Sequence, residues 1–305
     1  MVSGRLNRLL SKASSLPRRS RTGPLLVGTS TLAVVLALVG FTLEKTNEPV
    51  ARQPSLLDLL EEVGRDRPRS TTLQGDAPQP PEATAWVSPL KQQCSNIDAS
   101  LQQRLQTQRS QLAQLRRSVP ADDSNFGDRW RSNPWGEKLN PVPRVVVLHE
   151  TVYSLNSALN TFLTPHPRDE DQVSYHTLVG QDGRVLDLVD PLSRAYGAGF
   201  SAFLGEWAIT NRKLKGSINN FALHLSLETP PSGANANRSH VGYTSKQYDA
   251  LALVLSGWIR SFNLPPAAIT THRHVDLGGE RDDPRSFDWS KLQTRLAALG
   301  DLCVS

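Results

Sequence analysis

Three side chains in this sequence have the types and settings that metal chemistry asks for: His149, His272 and Asp283. His149 ends the apolar run Val145-Val146-Val147-Leu148, which reads as a buried strand. A His at the end of a strand projects into a cleft while its backbone is held rigid. His272 and Asp283 lie eleven positions apart near the C-terminus, across a loop containing Gly278 and Gly279. Two imidazoles and one carboxylate are three ligands, and a fourth tetrahedral position is left open. That is the ligand count of a catalytic zinc site rather than a structural one. A lone His is more often a satisfied polar residue than a ligand, and the chain has 7 of them. His149-Glu150 does not begin a metalloprotease helix either, because Tyr153 stands where the second His would be.

The elements that must position these residues read as alternating strands and helices. Strands are predicted at 145–149, 174–179, 185–189 and 221–227, with a hairpin turn at Gly180-Gln181-Asp182-Gly183. Helices are predicted at 154–163, 244–262 and 288–299. Strands interleaved with long helices predict an α/β fold with a central mixed sheet flanked by helices. A further helix is predicted over 97–118, with Leu101, Leu105, Leu112 and Leu115 near one face. It either packs on the domain or binds a partner. Trp130 and Trp135 follow in a loop, and either stack on sugar or pack under the domain edge.

Three stretches together resemble the type 2 family of zinc-dependent N-acetylmuramoyl-L-alanine amidases. They are VVVLHET (145–151), VSYHTLVGQDGRV (173–185), and the run from His272-Arg273-His274-Val275-Asp276 through Asp282-Asp283-Pro284 to Phe287-Asp288-Trp289. The resemblance covers roughly Arg144 to Leu299. The family includes cytoplasmic recycling amidases, a phage lysozyme that is an amidase, and animal peptidoglycan recognition proteins. It implies Zn2+ held by His149, His272 and Asp283. It implies peptidoglycan or muropeptides as the partner, and as the substrate the amide between N-acetylmuramic acid and L-alanine. Tyr175, in Ser174-Tyr175-His176, is the implied catalytic donor. Arg281 stands where many members have a catalytic Lys; it can stabilise an oxyanion electrostatically but does not readily give up a proton.

The chain departs from the family in two places. The position of the usual catalytic Glu holds Ser226, with Glu228 two residues later. A Trp-His-Ala-Gly stretch of many members reads Tyr196-Gly197-Ala198-Gly199 here, so its His is missing. His274 is expected to point away from the ligands. The alternative functions are a catalytically inactive peptidoglycan-binding module and a zinc hydrolase of another amide.

Charge and composition divide the rest of the chain. The formal net charge is +5, yet the first 21 residues hold six basic residues and no acid, so the remainder carries one net negative charge. No basic surface is implied for the folded part, which removes the main support for a nucleic-acid partner. Thr22 to Leu43 is uncharged, with a strongly apolar centre. A span of about 20 such residues crosses a bilayer as a helix. The expectation is an uncleaved transmembrane anchor, with a cleaved signal peptide as the competing reading. Either places the domain outside the inner (cytoplasmic) membrane, in the periplasm or cell-wall space, with the membrane as a partner through the N-terminal helix. The expected organisation is a basic cytoplasmic tail (1–21), the anchor (22–43), a Pro-rich linker (44–93), a helical N-terminal extension (94–143) and the amidase domain (144–305). Cys94 and Cys303 are the only cysteines. In an exported chain they pair, clasping the ends of the domain; otherwise they are two free thiols.

Overall fold

A computed structural model of the chain describes residues 75–303. The first helix, α1 (Ala99–Leu115), is capped by Asp98, whose carboxylate accepts from the backbone N–H groups of Ser100 and Leu101. It stops three residues short of the predicted end. Arg116–Ser118 becomes strand β1 and pairs parallel with β5 (Val185–Asp187). The override is tertiary: the Arg116 guanidinium engages the Asp187 carboxylate, and the Val119 N–H continues the pairing to the Asp187 carbonyl. Pro120 also biases the residue before it toward extended backbone.

The remaining elements are β2 (Phe126–Gly127), β3 (Val145–Glu150), α2 (Leu155–Leu163), β4 (Thr177–Val179), β6 (Arg194–Ala195), β7 (Ala222–Leu227), α3 (Ser245–Phe262), β8 (Ile269–Thr271), the single turn α4 (His272–Val275) and α5 (Trp289–Ala298). Six strands form one sheet in the order β1-β5-β4-β7-β3-β8. Only the β4–β5 hairpin is antiparallel within it, so the sheet is mixed as expected. Strands β2 and β6 form a separate antiparallel pair. Every residue of β3 and β7 is buried, which explains their near-continuous apolar runs.

Helices cover the sheet. Leu251, Leu255 and Tyr248 of α3 and Leu292 and Leu296 of α5 pack with Val146 and Leu148 of β3. Leu101 and Leu105 of α1 join the same cluster. Elsewhere, Leu155, Ala158 and Phe162 of α2 pack on Leu178 and Leu186. The caps agree with these boundaries. Ser154 accepts from the Ser157 N–H, Thr244 and Gln247 form a capping box, and Asn263 closes α3 in the left-handed conformation at φ 51°. The Cys94–Cys303 disulfide forms, with 4.7 Å between the Cα atoms, and the adjacent Gln93 N–H donates to the Leu302 carbonyl.

The membrane reading is corrected. Among the described residues no helix is long and apolar enough to cross a membrane. The longest of these, α3, has 18 residues and carries Lys246, Gln247, Asp249 and Arg260. The Thr22–Leu43 segment and the basic tail lie outside the described residues. The inner-membrane localisation and the membrane partner are therefore withdrawn.

Candidate active site

The register of β3 assembles the site. Leu148 pairs with Thr271 of β8, so His272, one residue past that strand, emerges beside His149 although 123 positions separate them. On the other flank, His149 pairs with Ser226 of β7. Both imidazoles thus sit at the carboxyl ends of parallel strands, where open α/β sheets bind ligands. The chain then makes the α4 turn and a loop, and returns so that the Arg273 N–H donates to the Asp283 carbonyl.

The three candidate donor atoms converge. His149 Nδ1 lies 3.2 Å from His272 Nδ1 and 3.2 Å from Asp283 Oδ2. His272 Nδ1 lies 3.0 Å from Asp283 Oδ1. Ligand distances of about 2.0–2.1 Å around a tetrahedral zinc imply edges of about 3.3 Å, so this donor set and spacing fit that ion. Of the described His, Cys, Asp and Glu, these three form the group able to hold a metal. Burial pushes the His149 imidazole down to about 4, keeping it neutral and available as a ligand. Burial works to raise the Asp283 carboxyl, but its hydrogen bonds with His149 and His272 prevail and hold it below the ordinary carboxylate value.

Around this cluster opens a cavity of about 980 Å³, lined by His272, Asp283, Tyr175, Arg281, Tyr196 and Trp130 among others. Tyr175 stacks on His149, with ring centroids 4.3 Å apart and planes at 20°, and Phe162 meets its edge at 5.2 Å. Burial raises its phenol well above the ordinary value, so it stays a neutral O–H donor. Arg281 is exposed, and its backbone N–H donates to Asp276. Trp130 is 44% exposed on the cavity wall, whereas Trp135 packs under the Arg212 guanidinium. His274 turns away from the cluster, against Thr271 and the Trp86 ring. It does so from the helical turn α4.

Glu228 is committed elsewhere. Its two oxygens accept from the backbone N–H groups of Leu155 and Gln181, each at 2.9 Å. It therefore holds the start of α2 and the β4–β5 turn. Ser226, level with His149, has a buried hydroxyl without a partner among the described residues.

Sequence reading passes over two neighbours of the cluster. Glu150 is buried and accepts from Tyr243 Oη at 2.6 Å; it also meets His240 Nε2 at 3.0 Å and the Arg285 guanidinium. Arg285 in turn donates to the carbonyls of Gly233, Asn235 and Asn237. The signal for that pair was present, since both residues fall inside family-like stretches. His224 of β7 meets His149 Nε2 at 3.0 Å. A His within an otherwise apolar strand gave no sequence signal.

Known proteins resemble part of this chain. The pattern described as N-acetylmuramoyl-L-alanine amidase (Amidase_2) matches residues 138–286. The 1,6-anhydro-N-acetylmuramyl-L-alanine amidase AmpD of Citrobacter freundii is 28% identical over 124 residues, covering 40% of this chain and 56% of that protein. AmpD of Escherichia coli K12 is 27% identical over 128 residues, covering 41% of this chain and 60% of the relative. The chain therefore spans little more than half the length of these relatives. A crystal structure of an AmpD selenomethionine derivative aligns with a TM-score of 0.42 and 23% identity, covering 59% of this chain and 93% of the other. Through residues 138–286, this chain belongs to the type 2 N-acetylmuramoyl-L-alanine amidase family.

Proposed function

We propose that this chain is a zinc-dependent amidase that hydrolyses the bond between the lactyl group of N-acetylmuramic acid and the L-alanine of the stem peptide, in peptidoglycan or muropeptides. The observation that carries the reading is the convergence of His149, His272 and Asp283 at the cavity of an amidase-family domain, with His272 and Asp283 on its wall. The names of the AmpD relatives support the substrate class. We further take 94–143 as an extension of the 144–305 domain, because α1 shares its core.

His149, His272 and Asp283 would hold the ion. Zinc, when bound, supplies Lewis acidity toward an amide carbonyl and toward water. The chain supplies the rest. Tyr175, neutral and stacked on His149, donates its hydroxyl to the negative charge that grows on the amide oxygen. Arg281 on the cavity wall adds fixed positive charge, which favours the same oxyanion without proton transfer. Ser226 supplies no carboxylate, and Glu228 is occupied in holding backbone. Proton work in this chain therefore does not run through Ser226 or Glu228.

The full chain incubated with zinc and purified muropeptides should release free peptides beginning with L-alanine, read by mass spectrometry. Binding without cleavage would refute the proposal in favour of a recognition module. Cleavage of simple peptides, with muropeptides left intact, would refute the substrate assignment.

A further inference from the structure

We propose that His224 is a positioning residue for the metal site. By accepting a hydrogen bond from the Nε2–H of His149, it fixes the tautomer in which Nδ1 of His149 is bare and faces His272 and Asp283. The inference rests on the zinc reading above. A neutral imidazole carries one N–H. Nδ1 of His149 can act as a ligand only if the hydrogen sits on Nε2. The atom placed to receive it is His224 Nδ1, 3.0 Å away and buried.

The fold accepts a cost to keep this contact. Once His224 Nδ1 is the acceptor, its own hydrogen lies on Nε2, which is buried and has no partner among the described residues. An unpaired buried donor is destabilising, because it gives up its hydrogen bond to water and gains none in return. Strand β7 reads Ala-Leu-His-Leu-Ser-Leu, and an apolar side chain at its third position would avoid that cost. The ring is also held rigidly. It stacks 5.8 Å from His176 with planes at 7°, and the His224 backbone N–H donates to His176 Nδ1 at 2.9 Å.

Space has been cleared for it as well. A Cβ on Gly197 would lie 2.4 Å from both Cγ and Nδ1 of His224. Gly197 is not among the glycines with positive φ, so it is needed for room and not for backbone conformation. This is the loop position where many amidases of the family place a His. Any side chain at position 197 would collide with the His224 ring, so the glycine and the imidazole go together in this chain.

The test measures zinc affinity by chelator competition on the full chain, with circular dichroism to establish folding. Breaking a hydrogen bond to a ligating His typically weakens metal binding about 10- to 100-fold. His224→Leu should fall in that range. His224→Asn should stay within about threefold of the unmodified chain, because Oδ1 of Asn accepts where Nδ1 did. Unchanged affinity in a folded Leu variant, or an Asn variant as weak as Leu, would overturn the proposal. If the Leu variant does not fold, nitrogen NMR of the unmodified zinc-loaded chain decides. A scalar coupling between His149 Nε2 and His224 Nδ1 is expected, and its absence overturns the assignment. An unmodified chain that binds no zinc would sink the site reading itself, and this inference with it.

Discussion

Removing the hydroxyl of Tyr175 should separate catalysis from metal binding and from stability. The ring of Tyr175 does the packing, through the stack on His149 and the edge contact with Phe162. Its hydroxyl makes no hydrogen bond among the described residues, so Tyr175→Phe leaves no buried partner unsatisfied. The stability change should stay within about 0.5 kcal/mol, the usual range for such substitutions. In turnover, the loss of one oriented donor to an oxyanion costs about 100- to 1,000-fold, or about 2.7–4 kcal/mol of barrier. The expectation is a fall in kcat of that size, with KM, zinc content and denaturation midpoint nearly unchanged. Glu228→Gln should show the reverse. Its carboxylate holds two backbone N–H groups, and an amide can accept with only one of its two terminal atoms. One charge-assisted hydrogen bond is lost, so stability should fall by about 1–3 kcal/mol while kcat per folded molecule changes little. Muropeptide turnover and urea denaturation on the same preparations settle both halves. Near-normal kcat in the Phe variant with a dead Gln variant would refute the assignment and return the chemistry to Glu228.

Three further outcomes are expected. In His149→Ala and Asp283→Ala, zinc stoichiometry by elemental analysis should fall well below one per chain; full retention in both would contradict the ligand set. The zinc-free chain should lose stability as pH falls below about 6.5, the unfolded-state value for His. His149 and His176 are held down to about 4 and about 3, so between those limits the unfolded chain binds more protons than the folded one. The slope should be up to about 1.4 kcal/mol per pH unit for each residue, levelling below the folded values, and a urea midpoint that does not move between pH 7 and 4.5 would contradict the burial of these rings. Replacing Cys94 and Cys303 by Ser should lower stability by about 2–5 kcal/mol without altering zinc content; equal midpoints in reduced and oxidised protein would show that the disulfide adds nothing.

The parts that sequence reading recovers are those with local signals. The three-valine run exposes β3, and Thr244 with Gln247 exposes the start of α3. The trio that the fold brings together, His149, His272 and Asp283, was visible through residue type and family-like context. What stayed hidden depends on distant partners. Strand β8 is three residues long and too short to show a period; its identity comes from pairing with β3. The end of α1 was misplaced because Arg116 answers to Asp187, 71 positions away. Glu150 finds Tyr243 and Arg285 at separations of 93 and 135. His224 acquires meaning only when β7 is laid beside β3.

Consecutive residues of β3 point to opposite sides of the sheet, and here both ends of that alternation are in use. His149 reaches the donor cluster of His272 and Asp283, while Glu150 grips Arg285, two residues beyond Asp283. One six-residue segment therefore supplies one member of the donor cluster and tethers the loop that delivers another. Deleting a single residue from Val145–Leu148 would turn both side chains through the sheet at once. The donor cluster and the anchorage of its loop would then fail as one event. Variation in this region should accordingly be all-or-none: the walls of the cavity can drift residue by residue, whereas this strand tolerates no change of phase.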